Sequence, residues 1–147
     1  MKPDTQRYPK IEVRNLQRKI AVDVVDLQKF AQKAAPLCLR LPTKKKTELN
    51  KLREVSVLFV SDRRMVELHH QFMNESCPTD VMTFQHGEIV ISAGTAFRNA
   101  RRFGNPLNRE LRLYIVHGLL HLHGFDDRNE ASAGKMRTAE EKILSNF

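Results

Sequence analysis

Thiols are scarce in this chain of 147 residues. Its two cysteines, Cys38 and Cys77, have no cysteine partner at metal-binding spacing. A disulfide framework and a thiolate metal centre are therefore excluded, and both read as buried or incidental thiols. Long apolar runs are missing too. None approaches the roughly 20 residues of a membrane span, so no membrane partner is expected. The N-terminal stretch MKPDTQRYPK lacks the apolar segment of a secretory signal, which makes the cytoplasm the expected compartment. There is no repeat, low-complexity tract or evident linker. The length suits one hydrophobic core, so residues 1–147 are expected to form a single domain with 1–9 as an N-terminal tail. Acids are in deficit, 17 against 25 lysines and arginines, giving a formal charge of +8. That surplus favours a polyanionic partner through counterion release and steering, and it gains weight only beside chemistry aimed at phosphates.

What is present is patterned. Ile11 and Val13 alternate with polar residues in KIEVRNL, 10–16, and predict a strand. Asp23 is placed to cap a helix with the stripe Val24, Leu27, Phe30, Ala31 and Ala34, ending before Pro36. The lysines at 44–46 read as a solvated loop. EVSVLFVS, 54–61, is valine-rich and nearly continuously apolar, which predicts a central strand. Met65, Leu68 and Phe72 mark a helix, and CPTD after it is turn chemistry, with Pro78 disfavouring helix at Cys77. VMTF and GEIVIS predict two short strands joined by a tight turn at His86 and Gly87. Ser92 can cap a basic helix carrying Arg98, Arg101 and Arg102 and stopped at Gly104. Asn105-Pro106 opens a buried central helix, with Pro106 in its first turn, that runs through RELRLYIVHGLLHLHG. A last helix at about 130–144 carries Met136, Ala139 and Ile143 on one stripe. The resulting order, β-α-β-α-β-β-α-α-α, predicts an α+β fold: a small mixed four-stranded sheet packed with about five helices.

The chemistry concentrates in HGLLHLHGFDD, 117–127. On a helix, His117 and His121 project from one face a turn apart and can hold one metal ion. Gly124 can take a positive φ, end the helix and turn the chain back, so that Asp127 reaches the same ion. Two nitrogens, one oxygen and an open position suit a catalytic zinc; a structural zinc is usually closed by four protein ligands. The arrangement is that of a zinc-protease helix without its glutamate, because Gly118 stands where that general base would follow the first histidine. A metal acidifies its bound water even so, and the carboxylate ligand widens tolerance towards harder ions such as manganese. The other histidines read as ordinary. By the helix step of about 100°, His123 points about 160° from His121 and about 120° from His117. His69 and His70 read as solvated, and His86 as a turn residue.

HGLLHLHGFDD closely resembles the signature of the YbeY family, H-G-x-L-H-L-x-G-[YF]-D-H, and differs only at its last position, where Asp127 replaces histidine. PTDVMTF, 78–84, is similar to that family's PTDVLSF, and GEIVIS, 87–92, to its GDIVIS. The resemblance implies a metal-dependent endoribonuclease of bacterial cytoplasm and organelles. It further implies a part in ribosomal RNA maturation, especially at the 3′ end of the 16S RNA, and in ribosome quality control. Ribosomal RNA and the small ribosomal subunit are then the expected partners, and DNA is not. Zinc is the expected cofactor, one ion per chain, held in the family by three histidines; His117, His121 and Asp127 inherit those places. Thr79 and Asp80 are expected to shape the pocket or simply to cap a turn. Two further departures stand out. Met73 occupies a position where the family carries an arginine, leaving Arg63, Arg64, Arg98, Arg102 and Arg128 as candidates for the missing cation. Phe84-Gln85 replaces the family's phenylalanine-proline.

Met73 and Asp127 also keep a second reading open, an RNA- or ribosome-binding accessory protein with a structural metal. A third, a metallopeptidase, needs a base that the motif omits; Glu110, two turns before His117, is the distant carboxylate it would have to use.

Overall fold

The computed structural model describes residues 8–43, 48–73 and 79–147, without the side chain of Met73. The lysines at 44–46, Cys77, Pro78 and the Met73 side chain thus lie outside the described residues. Strand β1 (Lys10–Asn15) buries Ile11 and Val13 and exposes Lys10, Glu12 and Arg14, the period-two pattern of a strand with one face on a core. Strand β2 (Glu54–Val60) buries Val55, Val57 and Phe59 on the same side. A tight turn with Gly87 at φ 113° joins strands β3 (Val81–Phe84) and β4 (Glu88–Ser92). The sheet order is β1-β2-β4-β3, with β1, β2 and β4 parallel and β3 antiparallel to β4. The apolar stretch 54–61 is therefore central, as its composition predicts.

Among the described residues, five helices pack with the sheet or on one another: α1 (Val24–Leu39), α2 (Asp62–Met73), α3 (Ala93–Phe103), α4 (Leu107–Leu122) and α5 (Glu130–Leu144). The main core joins Ile11, Val57, Phe59, Ile89 and Ile91 of the sheet to Leu27 and Phe30 of α1, Ile115 and Leu119 of α4 and Met136 of α5. Val60, Met82 and Val90 face the other way and meet Met65 of α2 in a smaller cluster. The predicted α+β order is the one observed.

Helix α1 departs from its predicted end. Asp23 caps it, accepting from the Asp26 amide, but the helix continues through Pro36 to Leu39. A proline near the C-terminal end removes one ladder hydrogen bond. Ala34, Ala35 and Cys38 are fully buried there, and that continued burial outweighs the lost bond. The same burial pushes the Cys38 thiol's pKa up, which makes it inert. Helix α1 also closes the free edge of the sheet. Gln28 accepts from the Val13 amide at 2.7 Å and Gln32 from the Ile11 amide at 3.0 Å. Their amide groups donate back to the Ile11 and Pro9 carbonyls, so the edge strand's backbone is paired by side chains.

The central helix α4 begins one residue later than expected. Pro106 is its N-cap in extended conformation, not a first-turn residue. Helix α3 follows its prediction: the Ser92 hydroxyl accepts from Thr95, and Gly104 at φ 69° ends it. Among the described residues, no helix is long and apolar enough to cross a membrane.

Candidate metal centre

Helix α4 lies against the sheet at very short range. A Cβ built on Gly118 would sit 2.6 Å from Ile89 Cγ2 and 2.8 Å from Ile89 Cδ1. Gly118 is thus the point of closest approach between α4 and β4. No side chain fits there, least of all the glutamate a zinc protease would need. One residue before it, His117 faces out of this contact, and His121 follows one turn later on the same face.

The chain past α4 returns as the sequence predicts. Gly124 adopts φ 100°; its amide donates to the His121 carbonyl, and the Phe125 amide donates to the Leu120 carbonyl. This pair of bonds, with the left-handed residue between them, is the Schellman arrangement that ends a helix and reverses the chain. The reversal brings Asp127 back to the two imidazoles. His117 Nε2 lies 3.1 Å from His121 Nε2 and 3.6 Å from Asp127 Oδ2, and His121 Nε2 lies 3.8 Å from Asp127 Oδ1. One ligand atom from each of the three residues falls within 4.8 Å of the others. Tetrahedral zinc with bonds of about 2.0–2.1 Å spaces its ligands by about 3.3–3.4 Å. The observed separations bracket that value, so the donor set fits one small cation.

The far side of each ring is also occupied. His117 Nδ1 lies 2.8 Å from Glu140 Oε1 of α5, and His121 is hydrogen-bonded to the Phe125 backbone. A carboxylate on Nδ1 holds the proton there and leaves Nε2 as the lone-pair nitrogen, the arrangement found behind metal-bound histidines. Burial works against the charged form of His117, but the Glu140 carboxylate, followed by Asp127 and Asp80, overrides it and raises the pKa. Burial and the neighbouring His117 lower that of His121. One imidazole thus attracts a proton and the other repels it, among carboxylates that favour a cation. The side chain of Asp127 is 49% exposed, so this carboxylate stands at the open mouth of the group.

Two cavities open at this mouth. One, of about 420 Å³, is lined by His69, Thr79, Asp80, His117, His121 and Asp127. The other, of about 260 Å³, is lined by Asp80, Tyr114, His117, Asp127, Arg137 and Glu140 among others. The Asp80 carboxylate accepts from its neighbour Val81 and its carbonyl accepts from Ser92, which pins β3 beside the site. Asp80 therefore serves both as cavity lining and as a backbone anchor, and Thr79 as cavity lining.

The family profile described as "Endoribonuclease YbeY" matches residues 12–147. This chain belongs to that family. The Endoribonuclease YbeY of Thermodesulfovibrio yellowstonii is 31% identical, with 93% of this chain and 96% of the relative covered. That of Syntrophus aciditrophicus is 33% identical, with 81% and 76% covered. The solution structure of a Thermotoga maritima protein is similar in fold, with a TM-score of 0.61 at 27% identity and coverage of 92% and 90%.

Several sequence expectations change on this YbeY-family scaffold. His69 is not a solvated surface residue. It follows the buried Met65 by four positions, which turns it inward onto the larger cavity, whereas His70 is exposed. Glu110 is not positioned as a base. It is 5% exposed, accepts from Asn105 Nδ2 at 3.1 Å and is hydrogen-bonded to Tyr114. His123 is the satisfied core histidine expected, 3% exposed with Nε2 2.7 Å from the Leu41 carbonyl. His86 pairs with Glu88 at 2.6 Å and stacks on Phe84.

None of the arginines proposed as replacement cations lines either cavity. Arg98 binds Asp62 at 2.7 Å, Arg63 and Arg64 flank Glu67, Arg102 lies over Phe103, and Arg128 is exposed. Sequence reasoning missed Glu140 and Arg137. For Glu140 a signal existed, since it sits beside Ala139 on the stripe of Met136 and Ile143, where an acid needs a buried partner.

Proposed function

We propose that this chain is a zinc-dependent endoribonuclease acting in ribosomal RNA maturation, including 16S 3′-end processing, and in ribosome quality control. In this reading His117, His121 and Asp127 hold the ion. The observation that carries it is the convergence of two imidazole nitrogens and one carboxylate at an open mouth, in a member of an endoribonuclease family. The ion, when bound, supplies a Lewis acid for a phosphoryl oxygen and lowers the pKa of water. The chain's residues do the rest. Glu140 fixes the His117 ring and its tautomer through Nδ1. Asp127 supplies the oxygen donor and offsets part of the ion's charge. Asp80 and the start of β3 shape one wall of both cavities. The +8 formal charge supports attraction of an RNA backbone.

The metallopeptidase reading loses its support, because Gly118 admits no side chain and Glu110 is engaged elsewhere. Against a purely structural metal stands the count of donors: the group has three among the described residues, where a closed structural zinc takes four.

The test is incubation of the purified protein with structured RNA, with and without a chelator, beside His121→Ala. Metal-restored cleavage that the variant lacks is expected. Cleavage indifferent to both removes the metal from the mechanism. Tight, salt-sensitive RNA binding with no cleavage in either the native protein or Met73→Arg leaves the accessory role.

A further inference from the structure

The smaller cavity, beside His117 and Asp127, carries an arginine, Arg137. Three carboxylates line it, those of Asp80, Asp127 and Glu140, and a single guanidinium, that of Arg137. Arg137 lies on α5, three residues before Glu140 and four before Glu141, the spacings at which helical ion pairs form. It pairs with neither: among the described residues no carboxylate lies within 4.0 Å of its guanidinium. Glu140 instead faces His117. The guanidinium points back along the helix, as long helical side chains do. Its Nη2 comes within 3.9 Å of the point where a Cβ on Gly134 would stand, three residues nearer the start of α5. That direction is towards the start of α5 and Asp127.

We propose that Arg137 is a phosphate-holding residue, gripping a backbone phosphate of the RNA in this cavity next to the metal group; this rests on the reading of the chain as an endoribonuclease. Asp80, Asp127 and Glu140 place like charge around an entering RNA strand, and the ion held by His117, His121 and Asp127 offsets part of it. The Arg137 guanidinium adds a side-chain cation at the same lining. A planar guanidinium offers two parallel N–H donors that match two phosphate oxygens, and one without an internal partner gives up no existing ion pair to do so. Arg137 is exposed at the cavity rim, so it can meet its ligand without unfolding anything.

The experiment measures equilibrium binding of one structured RNA to zinc-loaded native protein, Arg137→Ala and Arg137→Lys over a salt series, with single-turnover cleavage and zinc content alongside. Removing one phosphate contact is expected to weaken binding about tenfold and to reduce the slope of log K against log salt by about 0.7–0.9. Zinc content stays unchanged. Lysine restores the slope but only part of the affinity, because it is a point charge without the fork. In cleavage, the half-saturating RNA concentration of Arg137→Ala rises about tenfold while the rate at saturation falls less. Native affinity and slope in Arg137→Ala overturn the proposal, as does zinc loss in that variant, which would make Arg137 a support of the metal group. Failure of the underlying reading looks different: the native protein neither binds nor cleaves RNA, or His121→Ala cleaves as well as native.

Discussion

Substituting Gly118 by alanine tests the closest contact in the molecule. In an ordinary helix interior the change stabilises by about 0.8–1 kcal/mol, because glycine is the poorer helix former. Here the new Cβ meets three carbons of Ile89 at 2.6, 2.8 and 2.9 Å. Unstrained carbons stand about 3.5–4.0 Å apart, so something must move by about an ångström. Ile89 has little freedom to do so. It is fully buried, and its strand is paired on both sides, with β2 and β3. Overpacking of this kind costs about 1–3 kcal/mol, which cancels the gain or exceeds it and leaves Gly118→Ala about 0–2 kcal/mol less stable than native. Gly134→Ala is the matched control. Its Cβ would meet only Arg137 Nη2 at 3.9 Å, an ordinary contact, so it is expected to stabilise by about 0.5–1 kcal/mol. The assay is urea unfolding, with the midpoint shifted and the slope unchanged. Ile89→Ala removes all three clashing carbons, so in that background Gly118→Ala turns stabilising, and the double-mutant cycle gives the coupling directly. If Gly118→Ala stabilises native protein as much as Gly134→Ala does, α4 does not lie as close to β4 as described, and the reason given for the missing glutamate is wrong.

Two other perturbations follow from the site and its surroundings. Glu140→Ala releases the His117 ring, and zinc affinity measured by competition with a chelator is expected to fall about 10- to 100-fold, with Glu140→Gln milder; unchanged affinity in both would remove Glu140 from the centre. Asp62 joins the starts of α2 and α3. Burial works to raise its pKa, but hydrogen bonds from Arg98, Ser92 and Thr95 outweigh this and hold it at about 2, below the ordinary 3.8. A depressed carboxylate contributes stability above its unfolded value and loses it as pH falls towards the folded one. With a side chain 37% exposed and so partly screened, that contribution is about 1 kcal/mol. Native protein should therefore exceed Asp62→Asn by that amount above about pH 4, and the gap should close by about pH 2 in urea unfolding against pH.

Much of this was legible in the sequence because local signals and tertiary demands agree. Alternation gave β1, valine richness gave β2, and Ser92 with Gly104 bounded α3, each where a single physical rule decides. The convergence of His117, His121 and Asp127 was legible because helix spacing and one glycine suffice to bring them together within a short stretch. The parts missed depend on long-range partners. The helix past Pro36 is held by core burial that no local pattern announces. His69 turns inward because Met65 fixes the face of α2. Glu140 reaches His117 across 23 residues, and Arg137 is notable only once the carboxylates around it are seen together. Gly118 read as an absent base; the fold makes it a packing requirement.

The central claim is one ion on three side chains, and the direct measurement is a zinc titration of metal-stripped protein followed calorimetrically, for native, His121→Ala and Asp127→Ala. Native protein is expected to take up one zinc per chain, His121→Ala to lose tight binding, and Asp127→Ala to keep only weak binding through the two imidazoles. Native protein that takes up no zinc, or variants that bind it as native does, would contradict the account.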